Sequence, residues 1–464
     1  MSDSGRLRVG LAIVTAACLL VLGGSYVAAE TGSSQVQGVS SPLETALQNG
    51  STAAEVAPPR ENITVVTGDS TAFVTDEGDG PRQRGELVAL SPDGSVYYHN
   101  ESHTRYWDVD PVRGTEATVE YVYADHLSAD ACDAETVCTR NGVERVNLTT
   151  GEVTPVYARI TPGKHSTRWH DADRIGDDRL LIADIDQDRA FVVNTTTGLV
   201  TWAWDAQAAF NTSSGGPYPH DWTHINDVEY VELDGQPTVM VSVRNHDQVV
   251  FVDMERGLRP EWTLGTDGDH DTLYEQHNPD FIPESRGGPA VLVADSENGR
   301  AVEYQRVNGS WERSWEWQDP RLTWVRDADR LPNGHTLLSD SNGDRVLEVA
   351  ENGSVVWSVD MGFPYEAERL GTGDESTGGA SAAALDLPSR TPDESNRTAV
   401  DSAAAKAPPS LVNGVAYLLP GWVGGVEVVA ALGLVIMVPA WGVLEWRRRS
   451  VSVSLQWPVE FGER

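Results

Sequence analysis

The chain of 464 residues predicts an all-β fold, a six-bladed β-propeller. Three observations carry that expectation. A short motif recurs six times, short apolar β-like runs separate the copies, and helical periodicity is absent between residues 61 and 370.

The repeat is plainest in two stretches. "WVRDADRLPNGHTLLSD" at 324–340 nearly restates "RWHDADRIGDDRLLIAD" at 168–184, except that Arg326 stands where the earlier copy has His170. Read by register, further copies run Arg105 to Asp108, His224 to Asp227 and His277 to Asp280, and "YEAERL" at 365–370 places Tyr365 in the same first position. The intervals are 65, 54, 53, 49 and 39 residues, each long enough for about four strands.

The elements follow in order. Residues 1–30 contain "VGLAIVTAACLLVLGGSYVAA", an uncharged run behind Arg6 and Arg8, expected to be a membrane anchor or a cleaved signal segment. Residues 31–60 and 371–410 are rich in small and polar residues and are expected to be flexible linkers. Residues 61–370 hold the propeller. Residues 411–446, with "VVAALGLVIMVPAWGVL" followed by "EWRRRS", predict a C-terminal transmembrane helix with a cationic stop, and 447–464 a short cytoplasmic tail.

Within the propeller one unit reads 170–175, "RLLIAD", "RAFVVN", "LVTWAW". The sixth copy supplies only its first strand, and three strands are available in "ITVVTG", "GELVAL" and "SVYYHN" between 63 and 100. The expected ring therefore closes by pairing N-terminal strands with a C-terminal innermost strand, which removes free sheet edges. Trp202, Trp204, Trp262, Trp315, Trp317 and Trp357 are placed in outermost strands, as wedges between blades. The Asp-rich turns beginning near 183, 294 and 339 are expected to cap their own backbone, with a cation as the alternative.

Composition limits partners and setting. The formal net charge is −36 and only two lysines occur, Lys164 and Lys406, which excludes nucleic acid and points to a halophilic surface hydrated in high salt. Nine Asn-x-Ser/Thr sequons, at Asn49, Asn62, Asn100, Asn147, Asn194, Asn211, Asn308, Asn352 and Asn396, point to a glycoprotein with its propeller on the extracellular face of the cell membrane. Cys132 and Cys138 lie close enough for a disulfide or for two free thiols, and Cys18 lies in the apolar anchor.

The innermost strands of a propeller line its central channel, so Arg105, His170, His224, His277, Arg326 and Tyr365 are expected to converge at one mouth. Strand side chains alternate with period two. The acids three residues on, Asp108, Asp173, Asp227, Asp280 and Asp329, are therefore expected to tie the blades together by bonding backbone amides or arginines. His and Arg without inward carboxylates suit an anion with several oxygens, and a neutral imidazole nitrogen can attack its central atom. No cofactor is called for. Zinc on the three histidines is the competitor, opposed by the neighbouring guanidiniums.

"HINDVEYVELDGQPTVMVSVRNHDQVVFVDMERG", "EQHNPDF" and "DADRLPNGHTLL" resemble the arylsulfotransferase family, sulfuryl-transferring β-propellers, over about residues 62–370. The resemblance implies transfer of a sulfuryl group from a phenolic ester to an acceptor through a sulfated histidine. It carries His224, Arg244 and His277 over as sulfate-site residues. His277 is the first choice as nucleophile and His224 the next; His170, Arg244 and Arg326 would bind sulfate oxygens, with Arg105 beside them, and Tyr365 or His170 would protonate the leaving phenolate. One departure is Arg326, which stands where the family places another inner-strand histidine. The implied partners are a small-molecule or glycan sulfate donor and a phenolic or hydroxyl acceptor. Two alternatives stay open, a non-catalytic ligand-binding or scaffold propeller on the cell surface and a metal-dependent hydrolase or lyase.

Overall fold

The computed structural model describes residues 3–31, 41–51, 54–70, 84–133, 137–163, 167–319, 322–391, 410, 413–414, 417, 419, 425–449, 451–454 and 460–463. It contains two compact units, residues 41–419 and residues 1–40 with 420–464.

The larger unit is a six-bladed β-propeller. Blade 1 consists of Arg105–Pro111, Thr118–Leu127, Cys138–Asn147 and Glu152–Pro162, all antiparallel. Blade 2 has three full strands, Arg179–Asp184, Arg189–Asn194 and Leu199–Asp205. Its innermost segment is irregular and is held to the first of them only by bridges of Trp169 to Asp184 and Arg174 to Leu180. Blade 3 (225–265) replaces a full outer strand with two short pieces, Gly257–Leu258 and Leu264–Gly265. Blades 4 (277–317) and 5 (325–360) are regular four-stranded sheets. In blade 6, Pro364–Arg369 is innermost and pairs with Thr64–Gly68, which leads outward to Glu86–Leu90 and Val96–Asn100.

Apolar residues on both faces of each inner strand fill the spaces between blades, as in the cluster of Leu181, Val192, Trp222, Val228, Val241 and Val252 shared by blades 2 and 3. The outer tryptophans add directional links. Trp202 Nε1 donates to Met254 O at 2.9 Å, and Trp317 Nε1 donates to Gly353 O at 2.9 Å. Each bond joins one blade to the next. Trp262 differs from the expectation, since it lies in the short turn Pro260–Trp262 and not in a strand; there its carbonyl accepts from Trp311 Nε1 at 2.8 Å.

The Asp-rich turns cap and clamp. Asp295 accepts from Tyr274 N at 2.7 Å and from Arg300 Nε at 2.6 Å, while Asp340 accepts from Thr323 N at 2.7 Å and Arg345 Nε at 2.9 Å. Asp184 pairs with Arg159 and Arg189. Asp295 and Asp340 thus fix the chain as it enters the innermost strand of their own blade.

The two expected linkers are partly folded. Pro42–Gln48 is a helix with a Ser41/Glu44 capping box whose Leu43 and Ala46 are buried beside Val346 and Trp357. Residues 371–391 form a strap: Ser376 Oγ accepts from Arg330 N at 2.7 Å, Ala382 N donates to Glu303, and Arg390 N donates to Glu316 O. Small, hydroxyl-rich residues that read as linker are what a close-fitting strap needs. Residues 392–409, with Asn396, lie outside the described residues. Cys132 and Cys138 are disulfide-bonded.

The smaller unit pairs two helices, Asp3–Thr31 and Gly425–Arg449, with Gly433 facing Cys18. A hairpin of Val451–Ser454 and Glu460–Glu463 completes it. Among the described residues no helix is long and apolar enough to cross a membrane.

Candidate active site

All six first-position residues meet at one end of the channel. His170 and His224 have ring centroids 5.2 Å apart, and Tyr365 lies 5.6 Å from His170 and 6.2 Å from His277. Arg326 Cζ sits 5.4 Å from the Tyr365 ring centroid, and its Nη1 is 2.5 Å from His277 Nε2. Arg105 joins through Trp107, whose ring stacks on His170 at 4.7 Å with Arg105 Cζ 5.9 Å from its centroid. Arg244 also reaches the cluster and shapes the charge around His224 and His277.

The backbone entering these strands is strained. Glu275, Trp324 and Phe363, each two residues before His277, Arg326 and Tyr365, have φ of 46°, 60° and 47°, and His224 itself has φ 48°. Non-glycine residues adopt this left-handed region at a cost, and such positions cluster at functional sites.

Hydrogen bonding fixes the state of His277. Ser296 Oγ donates to Val325 O at 2.6 Å, so it can only accept from His277 Nδ1, 2.8 Å away. Nδ1 therefore carries the proton and Nε2 presents its lone pair, met by Arg326 Nη1. Burial, then Arg326 and Arg244, hold the imidazole well below its ordinary pKa, leaving it neutral. His170 is depressed in the same way by burial and then Arg168. His224 donates through Nδ1 to Asp221, yet burial and Arg244 pull its pKa down to about 4.

The arginines divide into two kinds. Arg105 pairs with Asp69 at 3.4 Å and Arg244 with Glu275. Arg168 and Arg326 have no carboxylate partner among the described residues, and burial lowers the pKa of both from the usual guanidinium value, with Arg105 adding to the effect on Arg168. Nε of each is buried without a hydrogen bond. A buried cation left unpaired costs several kcal/mol, on the order of 3–5 when one partner of a pair is missing, so this corner of the channel favours an anion.

Two expectations need correction. Carboxylates do accompany the cluster: Asp69, Asp221, Glu275 and Glu297 stand around it, neutralising some of its arginines. Of the acids three residues on, Asp108 and Asp173 tie their blade to the next through backbone amides, Asp280 accepts from Ser376 of the strap, and Asp227 and Asp329 lie among the other buried carboxylates. Bulges interrupt the innermost strands at Tyr106/Val109, Ile225/Asp227, His277/Asp280 and Val325/Asp327, so alternation slips by one and positions one and four point the same way. Below the cationic ring they build an acidic belt with Asp110, Asp171, Glu229, Asp327, Glu366 and Glu368, each pushed up first by burial. Asp108, Asp171, Asp173, Glu229, Asp327 and Glu366 accept backbone amides from the following blade, for example Val109 N on Glu366 at 2.9 Å and Tyr230 N on Asp173 at 2.6 Å. Asp108, Asp110 and Glu366 have carboxylate oxygens within 4.8 Å of one another, the grouping that could hold a cation.

Sequence reasoning missed Arg168, Asp69, Ser296, Trp107 and Tyr417. Trp107 and Arg168 had a signal, since each lies two residues from a first-position residue, Arg105 and His170.

The family model described as Arylsulfotransferase (ASST) matches residues 182–318, a span that includes His224, Arg244 and His277. No curated protein matches the chain. Among solved structures, a Bacteroides caccae protein of unknown function is 12% identical, covering 66% of this chain and 98% of its own at a TM-score of 0.44. The periplasmic gluconolactonase of Pseudomonas aeruginosa is 13% identical, with 67% and 99% covered and a TM-score of 0.42. A virginiamycin B lyase from Staphylococcus aureus is 8% identical, with 63% and 84% covered and a TM-score of 0.37.

Proposed function

We propose that the chain is an arylsulfotransferase-like enzyme, moving a sulfuryl group from a phenolic sulfate ester to an acceptor through a histidine intermediate. The observation that carries this is the neutral, Nδ1-anchored imidazole of His277 beside Arg326, with Arg168 a second buried guanidinium lacking a carboxylate. The family match over 182–318 supports the same chemistry.

An entering sulfate takes the guanidinium of Arg326 from His277 Nε2, which frees the lone pair to attack sulfur. The ester S–O bond breaks, an S–N bond forms and the donor phenolate leaves; the acceptor oxygen then bonds to sulfur as the S–N bond breaks, and its proton ends on the released phenolate. Arg326 and Arg168 hold the sulfate oxygens, where charge builds in the loose transition state. Arg244 and Arg105, engaged by Glu275 and Asp69, set the field and position. His224, held by Asp221, is the second imidazole of the site.

Tyr365 and His170 suit binding better than acid catalysis. Burial raises the Tyr365 phenol far above its ordinary value and keeps His170 neutral, so neither readily gives a proton to a phenolate. Tyr365 Oη and His170 Nδ1, 3.1 Å apart, instead orient each other.

The test is the full chain in molar salt with 4-nitrophenyl sulfate and phenol. Turnover that His277→Ala abolishes and a chelator leaves intact supports the proposal. Turnover lost to the chelator favours a metal-dependent hydrolase or lyase, and none at all favours the binding propeller, a reading that the substitution of Arg326 for the family's histidine supports. The uncharged run 9–29, the cationic stop after 444 and the sequons support a membrane-tethered glycoprotein facing outward. Alkaline extraction and glycosidase treatment of cell membranes test that placement.

A further inference from the structure

Tyr417 lies 52 residues beyond Tyr365 in the chain, outside every repeat, yet its side chain is at the pocket. Its hydroxyl is hydrogen-bonded with Arg105. Its ring meets Trp324 at 5.4 Å and Phe363 at 5.5 Å, and these two rings are 5.9 Å apart, making a three-ring box. Trp324 in turn carries Arg326 Cζ 3.9 Å from its ring centroid. Tyr417 also lies near enough to Arg168 and Arg326 to act on the charge of both.

Asn413 anchors the same short stretch. It is buried, donates through Nδ2 to Glu297 at 2.9 Å, and accepts from Asn342. Glu297 itself belongs to the rim, next to Arg244 and Arg326. A purely apolar plug would not need a hydroxyl aimed at a guanidinium.

We propose that Tyr417 is a modification site, the protein's own acceptor phenol, sulfated in cis at the arginine-lined mouth. This rests on the sulfuryl-transfer reading of the pocket. The donor ester's S–O bond breaks, the sulfuryl group passes over His277, and a new S–O bond forms at Tyr417 Oη. The phenolic proton goes to the departing donor phenolate, so one aryl sulfate and one tyrosine give one phenol and one tyrosine sulfate with no further reactant. Until it is displaced, Tyr417 also competes with free phenols for the same place.

The experiment incubates the full chain with 4-nitrophenyl sulfate and no added acceptor, follows nitrophenol release, and reads the peptide containing Tyr417 by mass spectrometry. The expected result is a stoichiometric burst of nitrophenol with sulfate on Tyr417. Tyr417→Phe loses the sulfated peptide and keeps only the one equivalent of nitrophenol that sulfation of His277 itself releases, and His277→Ala releases none. Turnover with added phenol and no sulfate on Tyr417 overturns the inference and leaves the enzymatic reading standing. No nitrophenol from any combination of donor and acceptor overturns both.

Discussion

Arg326 Nη1 stands 2.5 Å from His277 Nε2, the closest approach of a guanidinium to an imidazole in the channel. Repeats four and five contribute one residue each, and their side chains meet because adjacent blades bring their innermost strands together. Removing the cation should leave binding of donor weaker and the transition state poorly stabilised. Arg326→Ala is expected to lower kcat/KM for aryl sulfate on the order of a hundred- to a thousandfold. Arg326→Lys should recover only part, because a point charge cannot give two sulfate oxygens the forked contact of a guanidinium. Steady-state kinetics of the two variants checks this, and full recovery by lysine rules out the forked contact.

Ser296 acts through His277. Without its oxygen the imidazole keeps only the Glu275 carbonyl, 3.1 Å from Nδ1, to hold the proton there. Ser296→Ala is expected to lower kcat about tenfold, the worth of one hydrogen bond, with KM little changed. A pH profile of kcat separates this from simple loosening, since the apparent pKa of the imidazole should move while the melting temperature stays put.

The acidic belt makes stability fall as pH rises. Burial, opposed by backbone and side-chain hydrogen bonds, raises Asp171 to about 8 and Asp327 to about 7 from the usual carboxylate value. In each case the folded state holds a proton that the unfolded state has lost, so the contribution is full at low pH and is lost as pH climbs from about 4 through 7 to 8. His170, His224 and His277 act oppositely, since their depressed values withdraw stability as pH falls below 6.5. The belt has more members. Thermal melting between pH 6.5 and 8.5 in constant salt should show a decreasing midpoint, and a flat or rising curve would mean that a cation already neutralises the belt.

Glu366 joins the last blade to the first. Its Oε1 accepts from Val109 N at 2.9 Å and its Oε2 from Asn278 Nδ2 at 2.9 Å. Glu366→Ala leaves both donors buried and unpaired and is expected to cost about 1–3 kcal/mol. Glu366→Gln keeps an acceptor and removes a charge beside Asp108, Asp110 and Asp171, so at pH 8 it should be neutral or stabilising. Denaturant titration of both variants at pH 6 and pH 8 measures the difference.

Much of the propeller was legible because one register repeats: the first positions at Arg105, His170, His224, His277, Arg326 and Tyr365 all reach the channel. Alternation alone misled about the acids. A single bulge inside four of the motifs reverses the phase, and nothing in "HNPD" or "VRDAD" marks where the extra residue falls. Ser296 and Asp69 come from positions outside the motif, so only the folded ring shows that they serve it. The strap at 371–391 was misread because small polar residues have the same composition in a tether and in a tight surface contact. Tyr417 escaped because its partners, Trp324 and Phe363, lie far back in the chain.

Tyr365 reaches the pocket on the final innermost strand, and that strand is held by Thr64–Gly68 from the opposite end of the domain. A nascent chain therefore has no closed pocket until its first 369 residues have been made and the circle shuts. Any truncation before Pro364 leaves an open arc with two exposed sheet edges and no sixth side to the channel.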